Sequence, residues 1–372
     1  MEKGAPAGWT QRETVTKGEK AMDRRDFLKV VGMGGAALAA GGVTVGLTGE
    51  ARAGKEDIGE IKSLKVTVLS ETSWFNNDVF KKDMMDGGGT MASQYDIAWN
   101  KENSGGYAAL LEIEQLDGTK KKLLMDSGWN TSWMDYVFKM HGVDQMLKKK
   151  EIDTMVLSHW HLDHYWGIES TLKHNPNITI YAPNTHYPED MKLLKGAKFE
   201  KAGCSNAVPH RGKLVECDAK KVVKLMPGVA IKMFDVPIIL RVRGENVLYF
   251  HVKDKGIVTV TGCCHPGVLS LYSFARNNFA KGDEVYGSYG GLHITLFETW
   301  DPKFDDIIKG LKAFKPEKLA CNHCTGWLFA EKAAAAGLPI VKGTDKFRSY
   351  KKVSSVAKNN HMFMTNGDTV VF

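Results

Sequence analysis

The stretch His159-Trp160-His161-Leu162-Asp163-His164, which follows the apolar run 152–157 and Ser158, constrains this chain more than any other. The run reads as a buried strand, so the histidines leave it on a turn at a strand end. On an extended turn, residues i and i+2 face the same way. His159 and His161 therefore converge on one point. Asp163 and His164 open a predicted helix and point to a second position beside the first. Imidazole and carboxylate together are the donor set for zinc, iron or manganese. A solvated histidine-rich turn is the bland alternative. The density, three of the chain's 12 histidines in six residues, favours the metal reading.

A turn of this kind needs donors from elsewhere to close a site, and three later histidines have a suitable setting. His265 follows the β-branched run 256–262, His293 follows the glycine-rich run 285–291, and His323 follows 317–321 and precedes Cys324-Thr325-Gly326. Each closes a short predicted strand and precedes a predicted helix. An α/β scaffold gathers distant residues into one cleft in this way.

The ordered set resembles the metallo-β-lactamase superfamily. Leu124-Met125-Asp126-Ser127-Gly128 is similar to its early aspartate–glycine block, and residues 158–164 carry its His-x-His-x-Asp-His signature. Thr261-Gly262-Cys263-Cys264-His265-Pro266-Gly267, Gly290-Gly291-Leu292-His293 and His323-Cys324-Thr325-Gly326 occupy the three later slots. The wording of those slots is closest to the dihydropteroate-synthase-like subgroup linked to methanopterin precursor synthesis. The resemblance covers about residues 64–372 and implies an α/β fold, an αββα sandwich with a metal cleft along one edge. It implies that His159, His161 and His265 hold one ion and that Asp163, His164 and His323 hold another. One or two divalent ions are expected, zinc first, with iron or manganese as alternatives. Most members place a bridging aspartate in the fourth slot, where this chain offers His293.

The expected activity is hydrolysis of an ester, lactone, amide or phosphoester bond in a small molecule by a metal-bound hydroxide. Asp163 is expected to orient the nucleophile, and His293 to serve the leaving group. Asp126 is a candidate for fixing a histidine tautomer, or else a turn residue before Gly128. Two alternatives stand beside hydrolysis: a synthase or transferase of the pterin-precursor type on the same metal site, and a non-catalytic metal-bound binding protein.

The front of the chain speaks to location. Asp23-Arg24-Arg25-Asp26-Phe27-Leu28-Lys29 resembles a twin-arginine export signal, an apolar Gly/Ala-rich run follows over 30–47, and Ala51-Arg52-Ala53 has the small-x-small form of a cleavage site. Residues 1–53 are expected to be a signal region, and residues 54–372 one catalytic domain. The twin-arginine export machinery is then a partner and the periplasm the destination, with no stable membrane insertion after cleavage. A net charge of +7 over 372 residues is mild. No stretch interleaves basic and aromatic residues, so nucleic acid is not an expected partner.

Six cysteines in an oxidising compartment leave several states open. Cys204 with Cys217, and Cys263 or Cys264 with Cys321 or Cys324, are the candidate pairs. A thiolate supplementing the missing bridging aspartate is the third possibility. Strands are predicted near 64–70, 106–114, 121–126, 152–157, 178–182, 230–235, 246–252, 256–262, 284–289, 317–322 and 338–342. Helices are predicted near 132–149, 164–174, 268–280, 302–314 and 326–336. Residues 71–105 and 183–226 lack periodicity and read as loops. The first carries aromatic residues that either stack on a planar substrate or pack on the domain; the second is expected to narrow the pocket.

The leader yields a direct test. A reporter fused after residue 53 should reach the periplasm, and changing Arg24 and Arg25 to Lys should leave it in the cytoplasm, read by cell fractionation.

Overall fold

The computed structural model describes residues 55–352 and 361–372. The expected signal region, residues 1–53, lies outside them. Fifteen strands are present: β1 (Ile61–Ser70), β2 (Ala108–Gln115), β3 (Lys120–Met125), β4 (Ile152–Val156), β5 (Thr179–Pro183), β6 (Lys198–Phe199), β7 (Cys204–Ser205), β8 (Leu214–Cys217), β9 (Val222–Met226), β10 (Val229–Pro237), β11 (Arg243–Val252), β12 (Gly256–Thr261), β13 (Val285–Gly291), β14 (Lys318–Asn322) and β15 (Thr369–Val371). The α-helices are α1 (Asn77–Asp86), α2 (Thr131–Met140), α3 (Val143–Lys148), α4 (Leu162–Tyr165), α5 (Glu169–Leu172), α6 (Pro188–Leu194), α7 (Val268–Asn278), α8 (Phe304–Phe314) and α9 (Trp327–Ala335).

The strands form two halves. One runs β15-β1-β2-β3-β4-β5-β8, and the other β9-β10-β11-β12-β13-β14. A single parallel pair, Ile61 with Val252, links β1 to β11 at the seam. The halves face each other across a core that draws Val66, Leu111 and Val156 from the first and Ile231, Phe250 and Val260 from the second. Alternation explains this. In β1, Leu64, Val66 and Val68 point inward while Lys62 and Lys65 reach solvent. Helices α2 to α5 pack on the outer face of the first half, and α7 to α9 on that of the second. The expected αββα layering is therefore present.

Register brings the site together. β12, β13 and β14 are parallel, with Thr261, Gly290 and Cys321 side by side. The chain leaves all three strands at one edge, and His265, His293 and His323 emerge there. In the first half β4 is parallel to β3 and β5 and delivers His159–His164 from its own C-terminal end. Asn246 on β11 ties the halves at this edge: its N–H donates to the Ser158 carbonyl at 2.7 Å and its Nδ2 to the Leu157 carbonyl at 3.0 Å.

Several expectations need correction. The helix expected over 132–149 is two helices, because Gly142 adopts a left-handed conformation (φ 69°) that ends α2 and opens α3. The helix expected over 164–174 is likewise two short pieces, α4 and α5, with Gly167 between them. An added Cβ at Gly167 would sit 2.3 Å from the Ser127 carbonyl, so only glycine allows this approach. Residues 338–342 form no strand; Ile340 makes one isolated bridge to Leu319. Residues 71–105 hold α1, and 183–226 hold α6 and β6 to β9, so neither is a plain loop. No described helix is long and apolar enough to cross a membrane.

Phe250 fills the centre of the interface between the halves and is fully buried. Phe250→Ala should destabilise the protein by about 3–5 kcal/mol, because no neighbouring element can close the void. Urea unfolding measures this.

Candidate metal centre

The structure brings together every residue of the expected set. His159, His161, Asp163, His164, His265 and His323 are all buried, between 0% and 8% exposed. His159 Nε2 lies 3.0 Å from His161 Nδ1, and both rings adjoin His265, at 4.7 and 5.5 Å between centroids. A second cluster lies beside the first. His164 Nε2 is 3.2 Å from His323 Nε2, and Asp163 Oδ2 is 3.5 and 3.6 Å from those two nitrogens. His293 stacks its ring 4.6 Å from that of His265, at the rim of the first cluster.

Each imidazole is fixed by a bond to one nitrogen that leaves the other facing inward. His164 Nδ1 donates to Asp126 Oδ2 at 2.7 Å. His159 Nδ1 donates at 2.9 Å to Ser158 Oγ, whose own proton goes to Asp126 Oδ2 at 2.7 Å. His161 Nε2 donates to the Ile239 carbonyl at 2.9 Å, and His323 Nδ1 to the Glu71 carbonyl at 2.9 Å. His265 Nδ1 donates to Glu245 Oε2 at 2.8 Å, and its Nε2 is buried without any hydrogen-bond partner. A buried ring nitrogen with no partner, in a residue grouped with His159 and Cys263 so that one donor atom of each lies within 4.8 Å of the others, is what a cation site requires. The donors present fit a divalent metal.

Burial sets the charges. It pushes His161 down to about 4 and, with His164 adding to the effect, His323 down to about 3. Both are neutral at pH 7 and keep a lone pair to offer. Burial alone would raise Asp163, but His164 and His323 beside it hold the carboxyl at about 2, so it stays ionised. Burial also keeps His293 neutral, well below the usual histidine range.

The backbone carries strain at these blocks. Asp126 (φ 59°), Cys264 (φ 63°), His293 (φ 49°) and His323 (φ 54°) all adopt the left-handed conformation that side chains disfavour. Each sits where the chain turns sharply off a strand end, and packing around the cleft holds it there.

Four supporting residues, Glu245, Ser73, Gln94 and Tyr107, carried no signal of their own in the sequence, and Cys263 joins them. Glu245, fully buried on β11, accepts from Thr261 Oγ1 (2.7 Å) and from the backbone N–H groups of Cys263 (2.9 Å), Cys264 (2.8 Å) and His265 (2.7 Å), besides the His265 ring. Burial alone would raise its pKa, but His265 and the other donors hold it well below the carboxylate range. Ser73 Oγ donates to Asp163 Oδ2 at 2.5 Å. Gln94 clamps the histidine turn from both sides, donating to the Trp160 carbonyl (2.7 Å) and accepting from Leu162 N–H (2.9 Å). Tyr107 lies under the His164 and His323 rings, 5.1 and 4.7 Å away. Cys263 places its Sγ 3.2 Å from His164 Nε2 and 3.3 Å from His323 Nε2.

All six cysteines are buried and free, so the pairings open in the sequence are not made. The aromatic residues of 71–105 chiefly pack on the domain: Phe80 stacks on Trp74 and Trp99, at 4.0 and 5.2 Å. The segment that narrows the cleft is not 183–226. Ile239 and Leu240, from the turn between β10 and β11, line the space over the donors with Trp74 and Leu296. That space is about 20 Å³, little more than one water. A larger cavity of about 460 Å³ opens on the other side of His293, between α7 and α8. Its walls include Phe234, Leu269, Phe274, Phe304 and Ile307, and no charged residue among the described residues.

Residues 105–268 match the model of the metallo-beta-lactamase superfamily, a fold family that binds divalent metals. The chain is similar to the 7,8-dihydropterin-6-methyl-4-(beta-D-ribofuranosyl)-aminobenzene-5'-phosphate synthase of Methanocaldococcus jannaschii, at 26% identity over 304 residues, 73% of this chain and 90% of that protein. Among solved structures it is similar to Tm1679, described as a metal-dependent hydrolase of the beta-lactamase superfamily (17% identity, 82% of this chain and 98% of that one, TM-score 0.47). It is also similar to the metallo-beta-lactamase fold protein YhfI of Bacillus subtilis (14% identity, 84% and 100%, TM-score 0.42).

Glu245 faces five donors, so an amide in its place would turn one acceptor into a clashing donor. Glu245→Gln should cost about 3–5 kcal/mol and lower the metal content of the purified protein. Urea unfolding and elemental analysis report the two effects.

Proposed function

We propose that the protein is a metal-dependent hydrolase that cleaves an ester, lactone or amide in a small molecule bearing an uncharged apolar group. The observation that carries this reading is the gathering of the buried His159, His161 and His265 rings, with the His265 Nε2 lacking any partner, beside a second cluster of Asp163, His164 and His323. His159, His161 and His265 would hold one divalent ion, zinc first, and Asp163, His164 and His323 a second. A divalent ion in such a site lowers the pKa of its water from about 15.7 to about 7 and stabilises developing negative charge. The chain's own residues do the rest. Asp163, steadied by Ser73, orients the attacking water, whose oxygen bonds to the carbonyl carbon as the bond to the leaving group breaks. His293 is neutral and lies at the junction of the small space and the large cavity. It takes a proton from the reacting water and passes it to the departing oxygen or nitrogen.

Size and charge support the substrate class. The 20 Å³ space over the donors admits a reacting atom but no organic group. The 460 Å³ cavity that shares His293 falls within the range of ligand sites. Its uncharged walls favour an apolar acyl or alkoxy portion over a phosphate, so the phosphoester branch of the sequence expectation ranks last. We further propose that the mature chain begins near residue 54 and acts in the periplasm; the twin-arginine pattern at 23–29 supports this.

The synthase relative favours a second reading, in which the same site condenses a pterin with an aromatic amine phosphate. No Lys or Arg among the described residues lines either space beside His293, which leaves such a phosphate without a cationic partner.

Metal-loaded protein should cleave activated aryl esters or lactones with bulky apolar groups, and His161→Ala should abolish this. Leu269→Trp, which fills the large cavity, should raise KM for bulky substrates by roughly tenfold. A condensation product from pterin and amine phosphate, with no hydrolysis across the panel, would instead establish the synthase.

A further inference from the structure

The two donor clusters have one member in common. Cys263 Sγ falls with His159 and His265 in one group and with His164 and His323 in another, all donor atoms of each group within 4.8 Å of one another. We propose that the Cys263 thiolate is the ligand shared by both ions, taking the place between them for which the chain supplies no carboxylate. The inference rests on the metal reading of the site and adds to it the identity of the bridge.

Of the carboxylates flanking the fourth strand-end block, Glu284 is exposed just before β13, and Asp283, Glu298 and Asp301 are engaged elsewhere. Asp283 pairs with Lys55 at 3.0 Å, and Glu298 accepts from the N–H groups of Trp327 and Leu328 at the start of α9. Asp301 accepts from Lys303 N–H at 3.0 Å. The short contacts of Asp163 Oδ2 are to Ser73 and to His164 and His323 of the second cluster. Glu245 is fully occupied by the donors behind His265. Cys263 is the group left facing both sides. Its backbone N–H is anchored to Glu245 Oε1 at 2.9 Å, so the sulfur is positioned by the same carboxylate that orients His265. The His265 Nε2 without a partner supplies independent evidence that this space is built for a ligand. Cys324 is nearby, in a group with Cys263 and His293, but its Sγ donates to the Cys263 carbonyl at 3.4 Å and it adjoins neither cluster's nitrogens.

A sulfur bridge has a consequence for metal choice. Thiolate is a soft ligand and selects zinc, cobalt or iron over magnesium, calcium or manganese. When an ion binds, the Cys263 S–H proton leaves to solvent and the S–metal bond forms, with no oxidant or reductant needed.

Cobalt(II) supplies the test. The full chain, freed of metal and titrated with cobalt, should take up two ions and show a thiolate-to-cobalt charge-transfer band in the near ultraviolet. Cys263→Asp should keep both ions and lose the band. Cys263→Ala should lose the band and bind cobalt at least about tenfold more weakly. Cys324→Ser should keep band and stoichiometry. With zinc, X-ray absorption should report sulfur at about 2.3 Å in wild type and none in Cys263→Asp. Thermal melting confirms that each variant is folded. Two cobalt ions without a sulfur band in wild type, or a band that survives in folded Cys263→Ala, overturns the thiolate bridge and leaves the metal site standing. A wild-type protein that takes up no cobalt, zinc, iron or manganese overturns both.

Discussion

The buried carboxylate of Glu245 is the interaction on which the site depends. Three successive backbone N–H groups, a threonine hydroxyl and the His265 ring all point at its two oxygens. A buried anion without such company would be costly by several kcal/mol; with it, the turn after β12 has one arrangement and no alternative of similar energy. That turn carries both His265 and Cys263. Asp126 does the same for the first half, joining Ser158 and His164 through a residue held in left-handed backbone. Two buried carboxylates, one behind each half, orient the donors.

The layered fold and the six primary donors were legible because they obey local rules. A β-branched or apolar run followed by histidine marks a strand end, and the parallel register of β12 to β14 then places the three later histidines side by side. Asp126 was legible because it is the aspartate of the early aspartate–glycine block. Glu245 was not: it lies inside a strand of otherwise apolar and polar mixture, and a single carboxylate there has no signature until its five donors are seen. Ser73, Gln94 and Tyr107 were hidden for the same reason. Their roles arise from contacts more than about 50 residues away in sequence, which periodicity does not encode. The split of the 132–149 helix turned on one glycine, and the structure within 71–105 and 183–226 consists of short elements stabilised by packing rather than by propensity.

The contrast between the two spaces at His293 connects architecture to chemistry. The narrow one is walled by Ile239, Leu240, Trp74 and Leu296 and is nearly dry, so charges within it are weakly screened. The broad one is formed where α7 and α8 diverge on the outer layer of the second half. Helix packing, a requirement of the core, thereby leaves the only roomy apolar recess beside the donors among the cavities described. The same α7 begins at Gly267, two residues past His265, so any change in the helix's seat is felt at the donor turn.

The donors are drawn from turns that follow β4, β12 and β14, on opposite halves of the sandwich. A chain with only its first half folded has no complete set, and neither has one with only its second. On the proposed metal reading, ion capture would be a proofreading event: a cation would bind tightly only to a molecule whose two sheets have docked, and by mass action would then lock that docking in place.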